Sequence, residues 1–357
     1  MCPDRVPGVP DAARPDPAPG PPPGDHPWLP VHRPGRPRAR RTAPLVAGGL
    51  ALVVLAGLGA VSGLTSGSGR SGTGAGRTPT VSSPAASLPW PREGQSSILV
   101  EGLGEHGELG PKGTRKPVPI ASVTKVMTAY VVLRDHPLEE GEAGPGIPVD
   151  QEAAGEPLSG VESAVPVIEG QRLGERQVLE LMLIPSGNNI ARMLARWDAG
   201  SEQAFVRKMN RAAHTLGMDH TTYTGASGFE PTTTSTSADQ LKLAEQVMRD
   251  GVFRSVVART HVEKPDRSGS LPNTDTLLGT DGVIGIKTGS STPAGGALMW
   301  AATAPDGSGR QRLVLGVVLY QRPGTSPQEG LEAVLENSRA LIQGVRRWLS
   351  ATEPETR

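Results

Sequence analysis

An uncharged apolar run near the N-terminus, PLVAGGLALVVLAGLGAVSGL at 44–64, is the feature that most constrains this chain. Its length matches the hydrocarbon thickness of a bilayer, which takes about twenty apolar residues in a helix. The alternative, a buried core helix, is disfavoured by the arginine cluster at 33–41. Arginines precede the run and few charges follow it, so the positive-inside rule places the N-terminus in the cytoplasm. We expect an uncleaved, single-pass anchor in the cell membrane, with the domain that follows it outside the cell.

The composition on either side of this run divides the rest of the chain. Residues 1–43 are rich in Pro, Gly and Arg without apolar periodicity, so we expect a disordered cytoplasmic tail. Residues 65–91 form a Gly/Ser/Pro linker that would span roughly 30 Å as a flexible coil. Apolar segments alternate with turns over 92–350, which we expect to be the folded domain, and 351–357 is a short tail.

Composition also excludes several classes of function. The 36 basic and 36 acidic residues balance to a net charge of zero, which argues against a nucleic-acid partner. Cys2 is the only cysteine, so a disulfide framework and a Cys-rich zinc site are excluded. The seven histidines show no HExxH or paired spacing. We therefore expect no metal and no cofactor.

The order of the predicted elements indicates an α+β fold. A first strand over 96–104 is followed by predicted helices at 126–134, 177–183, 189–197, 203–216 and 238–249. The last of these helices is predicted to be capped by Ser237. Strands at 283–288, 297–303 and 312–320 and an amphipathic helix at 330–349 complete the pattern. This order predicts an antiparallel sheet flanked by helices.

The first of three short motifs is Ser122-Val123-Thr124-Lys125, at the start of an apolar helix. The spacing puts Ser122 and Lys125 on one helix face, where the amine can approach the hydroxyl. A serine hydroxyl needs an adjacent base, and a lysine serves as one only when neutral. Burial and a nearby cation would lower its pKa, and Lys287 is the candidate cation. An isolated Ser-x-x-Lys is more often a helix cap beside a snorkelling lysine.

The second motif, Ser186-Gly187-Asn188, lies at a break between two predicted helices. A tight loop there could project Ser186 and Asn188 into a cleft. Ser186 could relay a proton to a leaving nitrogen, while Asn188 hydrogen-bonds the backbone of a substrate. Alone, the motif is an ordinary turn.

The third motif, Lys287-Thr288-Gly289, ends a strand-like run that begins at Val283. A strand at this position can pair with an extended peptide. Lys287 and the Thr288 hydroxyl could clamp a terminal carboxylate, and Gly289 would let the substrate approach the backbone. Alone, an edge-strand lysine is the simpler interpretation.

Each motif occurs once, in this order, in a chain with only seven lysines. Such a set is typical of penicillin-binding proteins and class A β-lactamases. The segments 118–134, 179–218, 227–248 and 282–302 resemble the low-molecular-mass D-alanyl-D-alanine carboxypeptidases, a family of penicillin-binding proteins. The resemblance covers most of 95–348.

This resemblance implies a β-lactamase/transpeptidase-like fold with an all-helical subdomain. It also implies a serine peptidase that removes the terminal D-alanine from peptidoglycan stem peptides and is inhibited by β-lactams. Carried over by position, Ser122 forms the acyl-enzyme, Lys125 accepts its proton and Ser186 assists proton transfer. The substrate would be bound by Asn188, Lys287, Thr288, Gly289 and Ser290. The oxyanion hole would be the backbone N–H groups of Ser122 and Ser290.

Two features depart from the family pattern. Many members carry a C-terminal β-domain and an amphipathic anchor helix. The sequence after Leu349 is too short for either, so we expect the N-terminal segment to supply the attachment. The stretch 102–117 is a poor match to the family's opening hairpin.

Four other functions compete with a carboxypeptidase. A class A β-lactamase needs a Glu-x-x-Leu-Asn loop, which surrounds none of Glu202, Glu230, Glu245 and Glu263. A Ser-His-Asp hydrolase is disfavoured because the chain has no Gly-x-Ser-x-Gly elbow. A sensor of β-lactams or peptidoglycan, and a D,D-endopeptidase that uses the same site, both stay open.

Overall fold

The computed structural model describes residues 87–103, 107–158, 160 and 162–351. The predicted tail 1–43 and membrane segment 44–64 lie outside the described residues, as do most of the predicted linker and 352–357. Within the described ranges, no helix is both long enough and apolar enough to cross a membrane.

Eleven strands and eight α-helices are found in the part of the chain that the structure describes. The strands are β1 Gln95–Val100, β2 Glu108–Gly113, β3 Val118–Pro119, β4 Gly146–Pro148, β5 Arg172–Gly174, β6 Thr234–Ser235, β7 His261–Glu263, β8 Ser270–Pro272, β9 Val283–Ser291, β10 Gly295–Pro305 and β11 Gln311–Gln321. The helices are α1 Lys125–Asp135, α2 Gln151–Gly155, α3 Glu175–Leu183, α4 Asn188–Ala199, α5 Glu202–Thr215, α6 Ser237–Val247, α7 Gly251–Val257 and α8 Pro327–Ala351.

An antiparallel sheet of five strands, in the order β2-β1-β11-β10-β9, organises the molecule. Helix α8 packs against β9, β10 and β11, while α6 packs against β1 and β11. Strands β10 and β11 are therefore apolar on both faces, and nearly all their residues are buried. The sheet and its flanking helices confirm the predicted α+β class.

The core between the sheet and α8 is built around Trp300 of β10, which is fully buried. The apolar stripe of α8, which includes Val334, Leu341 and Leu349, packs into the same cluster. Leu88 is also part of this cluster. Leu88 belongs to the predicted linker 65–91, so the last residues of that segment pack against the folded domain.

The region between β2 and β9 contains helices α1 to α7, and α1 lies at its centre, in contact with α3, α4, α5 and α6. The prediction of an all-helical subdomain is wrong in detail, because three two-stranded ribbons interrupt the helices. They pair β3 with β6, β4 with β5 and β7 with β8. These strands have two or three residues each, too few to show a two-residue period in the sequence.

The structure corrects one further local prediction and shows what the poorly matching stretch forms. Helix α6 is capped by Thr236, whose hydroxyl accepts from the Asp239 N–H, and Ser237 is its first helical residue. The poorly matching stretch 102–117 contains β2, which pairs with β1 through an irregular register.

The outer strand β9 positions the candidate site. It pairs with β10 along one side, and its other side faces the 3-10 turn Ala121–Thr124, which leads directly into α1. A Cβ added at Gly289 would lie 2.9 Å from the Ser122 backbone nitrogen and 3.0 Å from that of Val123. Only glycine allows the strand and the turn to approach so closely.

A buried carboxyl group far from β9 gives a prediction about stability. Glu175, at the start of α3, is fully buried, and neither carboxyl oxygen has a hydrogen-bond partner among the described residues. Burial, reinforced by Glu142 and Asp198, raises the pKa of Glu175 to about 7. The folded protein thus retains a proton that the unfolded chain releases above about pH 4.5. The native state is destabilised as the pH rises through this window.

We expect Glu175→Gln to stabilise the protein by about 1–3 kcal/mol at pH 8, because it removes a carboxyl group that ionises more readily in the unfolded chain than in the folded one. Below about pH 3.5 the two proteins should unfold alike, because Glu175 is then protonated in both the folded and the unfolded state. Urea unfolding across this pH range measures the difference, with the exposed Glu140→Gln as control. A stability gain that does not change with pH would contradict the raised pKa of Glu175.

Candidate active site

Ser122 and Lys125 are brought together by the 3-10 turn that precedes α1. Ala121 has a φ of 45°, a left-handed conformation that an alanine adopts only under constraint from its surroundings. The turn leaves Ser122 half-buried and places Lys125 in the interior, fully buried. The Nζ of Lys125 lies 2.8 Å from the Ser122 Oγ.

Lys125 makes two further hydrogen bonds, both to acceptors from distant parts of the chain. Its Nζ lies 2.6 Å from Asn188 Oδ1 and 2.8 Å from the backbone carbonyl of Ser227. Ser227 precedes Gly228, whose Cα packs against the Ala121 carbonyl so closely that a Cβ would lie 2.0 Å away. The amine is thus held on three sides, one of which is the Ser122 hydroxyl.

The electrostatic environment favours the neutral form of Lys125. Burial is the main cause that lowers the pKa of Lys125 well below its usual range, followed by the positive charges of Lys287 and Arg192. Glu230 and Glu162 oppose the shift to a smaller extent. A neutral amine at hydrogen-bond distance from a serine hydroxyl can accept its proton.

The turn between α3 and α4 carries the second motif. Ser186 has a φ of 67°, its side chain is buried, and its hydroxyl has no hydrogen-bond partner among the described residues. Buried hydroxyls without a partner are uncommon in folded proteins, and they are found at sites where a bound molecule completes the hydrogen bond. Asn188 begins α4, which directs its side chain to Lys125.

The third motif lies on β9, where both functional side chains are buried. The Thr288 hydroxyl lies 2.5 Å from that of Thr274, whose Oγ1 is also 3.5 Å from the Lys287 Nζ. Burial lowers the pKa of Lys287 to about 7, and the buried carboxylate of Asp275 opposes the shift. Ser290 follows on the same strand, opposite Gly296 of β10.

Sequence analysis missed several residues that complete this arrangement. Arg192 lies one helical turn after Asn188, and this spacing was the only signal that could have revealed it. Glu162, Thr274, Asp275 and Ser227 lie in loops, where no spacing rule applies. Within the described ranges, no group of three or more His, Cys, Asp or Glu is placed to hold a metal ion.

Known proteins resemble this chain in sequence. The sequence model of the D-alanyl-D-alanine carboxypeptidase family matches residues 93–320. A D-alanyl-D-alanine carboxypeptidase of Streptomyces sp. strain K15 is 31% identical over 214 residues, which cover 56% of this chain and 71% of that protein. A D-alanyl-D-alanine endopeptidase of Pseudomonas aeruginosa is 37% identical over 162 residues, which cover 45% of this chain and only 50% of that protein.

The fold has a counterpart among solved structures. The crystal structure of the Streptomyces K15 DD-transpeptidase superimposes with a TM-score of 0.59 at 26% identity, over 71% of this chain and 98% of that one. These matches and the fold define a serine peptidase of the penicillin-binding class. The chain belongs to the D-alanyl-D-alanine carboxypeptidase family.

The two buried lysines give a prediction that does not depend on any substrate. We expect NMR of the seven lysine side chains to show Lys287 titrating near pH 7 and Lys125 titrating well below the usual range of a lysine. Asp275→Asn removes the carboxylate that favours charged Lys287, so the pKa of Lys287 should fall further.

Asp281→Asn is the matched control, because Asp281 also precedes β9 and its side chain bonds Gln343 instead. A wild-type Lys287 that titrates above pH 9, or one that does not respond to Asp275→Asn, would contradict the electrostatic account.

Proposed function

We propose that this chain is a serine-type D-alanyl-D-alanine carboxypeptidase that removes the terminal D-alanine from peptidoglycan stem peptides. The observation that carries the proposal is the buried Lys125 amine, 2.8 Å from the Ser122 hydroxyl, in an environment that favours its neutral form. The family match and the D-alanyl-D-alanine relatives support the choice of substrate.

In the proposed acylation step, Lys125 takes the proton of Ser122 as its Oγ attacks the carbonyl carbon of the penultimate D-alanine. The backbone N–H groups of Ser122 and Ser290 would stabilise the oxyanion. The proton then passes from Lys125, through the Ser186 hydroxyl, to the leaving nitrogen. The peptide bond breaks, D-alanine departs and the shortened peptide is bound to Ser122 as an ester.

In the proposed second step, water hydrolyses this ester. Lys125, neutral again, takes a proton from the attacking water and returns it to the Ser122 Oγ as the ester bond breaks. The products are the shortened peptide with a new carboxylate and the free enzyme. A β-lactam would acylate Ser122 in the same way, since its ring amide takes the place of the scissile peptide bond.

Substrate recognition would depend on β9. An extended peptide can pair with the side of an outer strand, while Asn188 hydrogen-bonds its backbone. Lys287 and Thr288 would bind the terminal carboxylate. Because the pKa of Lys287 is about 7, an approaching carboxylate would favour its charged form and strengthen this contact.

A D,D-endopeptidase that cleaves peptide cross-links is the second candidate function. The observation in its favour is the 37% identity to the Pseudomonas endopeptidase. Such an enzyme would use the same acylation chemistry on a substrate whose leaving amine belongs to a second stem peptide.

The proposal is tested by D-alanine release from diacyl-Lys-D-Ala-D-Ala by the full-length chain in detergent. We expect Ser122→Ala and Lys125→Ala each to reduce release by at least about a thousandfold, because catalytic groups that act as a unit fail together. Labelling by a fluorescent penicillin should be lost in both variants, since Lys125 is the amine at hydrogen-bond distance from the Ser122 hydroxyl among the described residues.

The wild-type outcomes separate the candidate functions. Penicillin labelling at Ser122 without D-alanine release would favour the endopeptidase or a β-lactam sensor, and a dimeric cross-linked peptide would then distinguish those two. Absence of both release and labelling would refute the proposed chemistry, and normal labelling of Lys125→Ala would refute the base.

We also propose that residues 44–64 anchor the chain in the cell membrane with the N-terminus in the cytoplasm. The support is the uncharged apolar run and the arginines before it. The catalytic domain would then act outside the cell, where peptidoglycan lies.

Cys2, the only cysteine, allows a direct test of this orientation. We expect a membrane-impermeant maleimide to label Cys2 only after the cells are lysed, and the full-length chain to stay with the membrane after an alkaline wash. Deletion of 44–64 should move the protein to the soluble fraction. Labelling of Cys2 in intact cells would contradict the orientation.

A further inference from the structure

A second hydrogen-bonded layer lies behind Asn188, and it contains an ion pair. The Nδ2 of Asn188 donates to Oε2 of Glu162 over 2.9 Å. The same oxygen accepts from Arg192 over 2.7 Å, and Arg192 also donates to Glu156 over 2.7 Å. Arg192 further lies 6.0 Å from the ring of Phe229, two residues after Ser227.

The segment that carries Glu162 is fixed to the start of α4. The Asn188 N–H donates to the Ser163 carbonyl over 2.7 Å. The side chain of Asn189 bonds both backbone groups of Val165, at 3.0 Å and 2.8 Å. Glu162 is therefore held at a defined distance from Asn188 by backbone contacts on the residues that follow it.

The direction of the Asn188 amide decides what Lys125 can do. A neutral amine has two N–H donors and one lone pair. The Ser227 carbonyl and Asn188 Oδ1 are both acceptors, so they take the two donors and leave the lone pair for the Ser122 hydroxyl. If the amide flipped, its Nδ2 would donate to that lone pair. Lys125 could then only donate a hydrogen bond to the Ser122 hydroxyl, and it could not accept the hydroxyl proton as a base must.

We infer that Glu162 is a positioning residue that holds the Asn188 amide with its oxygen towards Lys125. As the carboxylate of an ion pair with Arg192, Glu162 accepts hydrogen bonds and donates none, so only the NH₂ end of the amide can face it. This inference rests on the proposed function, because it assigns Glu162 a part in directing the lone pair of the proposed base.

Two substitutions at Glu162 separate the effect of its hydrogen-bond acceptor from the effect of its negative charge. Glu162→Gln removes the charge but keeps an oxygen where Asn188 and Arg192 both donate, because Arg192 can only donate to it. Glu162→Leu removes the charge and the acceptor. Glu156→Leu is the matched control, since Glu156 forms an equally short ion pair with Arg192 but makes no contact with Asn188.

The measurement is the rate constant for acylation of Ser122 by a fluorescent penicillin in the full-length chain, from pH 5 to 10. We expect the plateau rate to fall about tenfold or more in Glu162→Leu, the loss typical of a hydrogen bond to a charged group. Glu162→Gln and Glu156→Leu should stay within about threefold of wild type, with unchanged affinity in the initial penicillin complex.

The pH dependence of the acylation rate is a second measurement, because a purely structural role of Glu162 would not shift it. The charged groups that act on Lys125 are Lys287 on β9, Arg192 on α4, Glu230 after the Ser227 loop and Glu162 itself. Loss of the Glu162 charge should shift the acidic limb to lower pH by the same amount in both Glu162 variants. Only the leucine variant should also have a lower plateau.

Three results would overturn the inference: a wild-type plateau in Glu162→Leu, an equal loss in Glu156→Leu, or an equal loss in Glu162→Gln. If the leucine variant melts more than roughly 5 °C below wild type, Glu162→Ala takes its place and the same outcomes decide. Failure of the wild type to be labelled at Ser122 would refute the proposed function, whereas a labelled wild type with an equally fast Glu162→Leu refutes only the role of Glu162.

Discussion

The hydrogen bonds of the buried Lys125 amine are the interaction on which the rest of the structure depends. They reach residues that are 3, 63 and 102 positions away in sequence: Ser122, Asn188 and Ser227. A buried amine without partners would cost several kcal/mol, so these three segments must meet at one point in the folded chain. All three segments lie between β2 and β9, so these bonds hold the helical region together at the site.

Backbone conformation makes this meeting point rigid. Ala121 and Ser186 both have left-handed φ values, and each conformation costs about 1–3 kcal/mol that the surrounding packing must offset. Gly228 and Gly289 allow two neighbouring segments to contact the turn around Ser122 without side chains between them. The reacting groups are therefore placed by backbone contacts, which vary less than side-chain rotamers do.

The sequence predicted those parts of the fold in which apolar residues recur at a regular spacing or in which a short catalytic motif occurs. Long elements such as β10, β11 and α8 were found because their apolar residues repeat over many positions. The role of Glu162 could not be predicted from the sequence. Its contact with Asn188 depends on the path of a loop across α4, and the sequence of that loop shows no hydrophobic periodicity. The Thr236 cap was missed by one residue, since the TSTS sequence at 234–237 offers four equivalent capping side chains in a row.

The charges around the two lysines suggest how substrate binding and base strength are coupled. Charged Lys287 helps to lower the pKa of Lys125 well below its usual range, which keeps the amine neutral but makes it a weak base. On the proposed function, the substrate carboxylate would offset the charge of Lys287 and so raise the pKa of Lys125. The base would then be strongest when the substrate that needs it is bound.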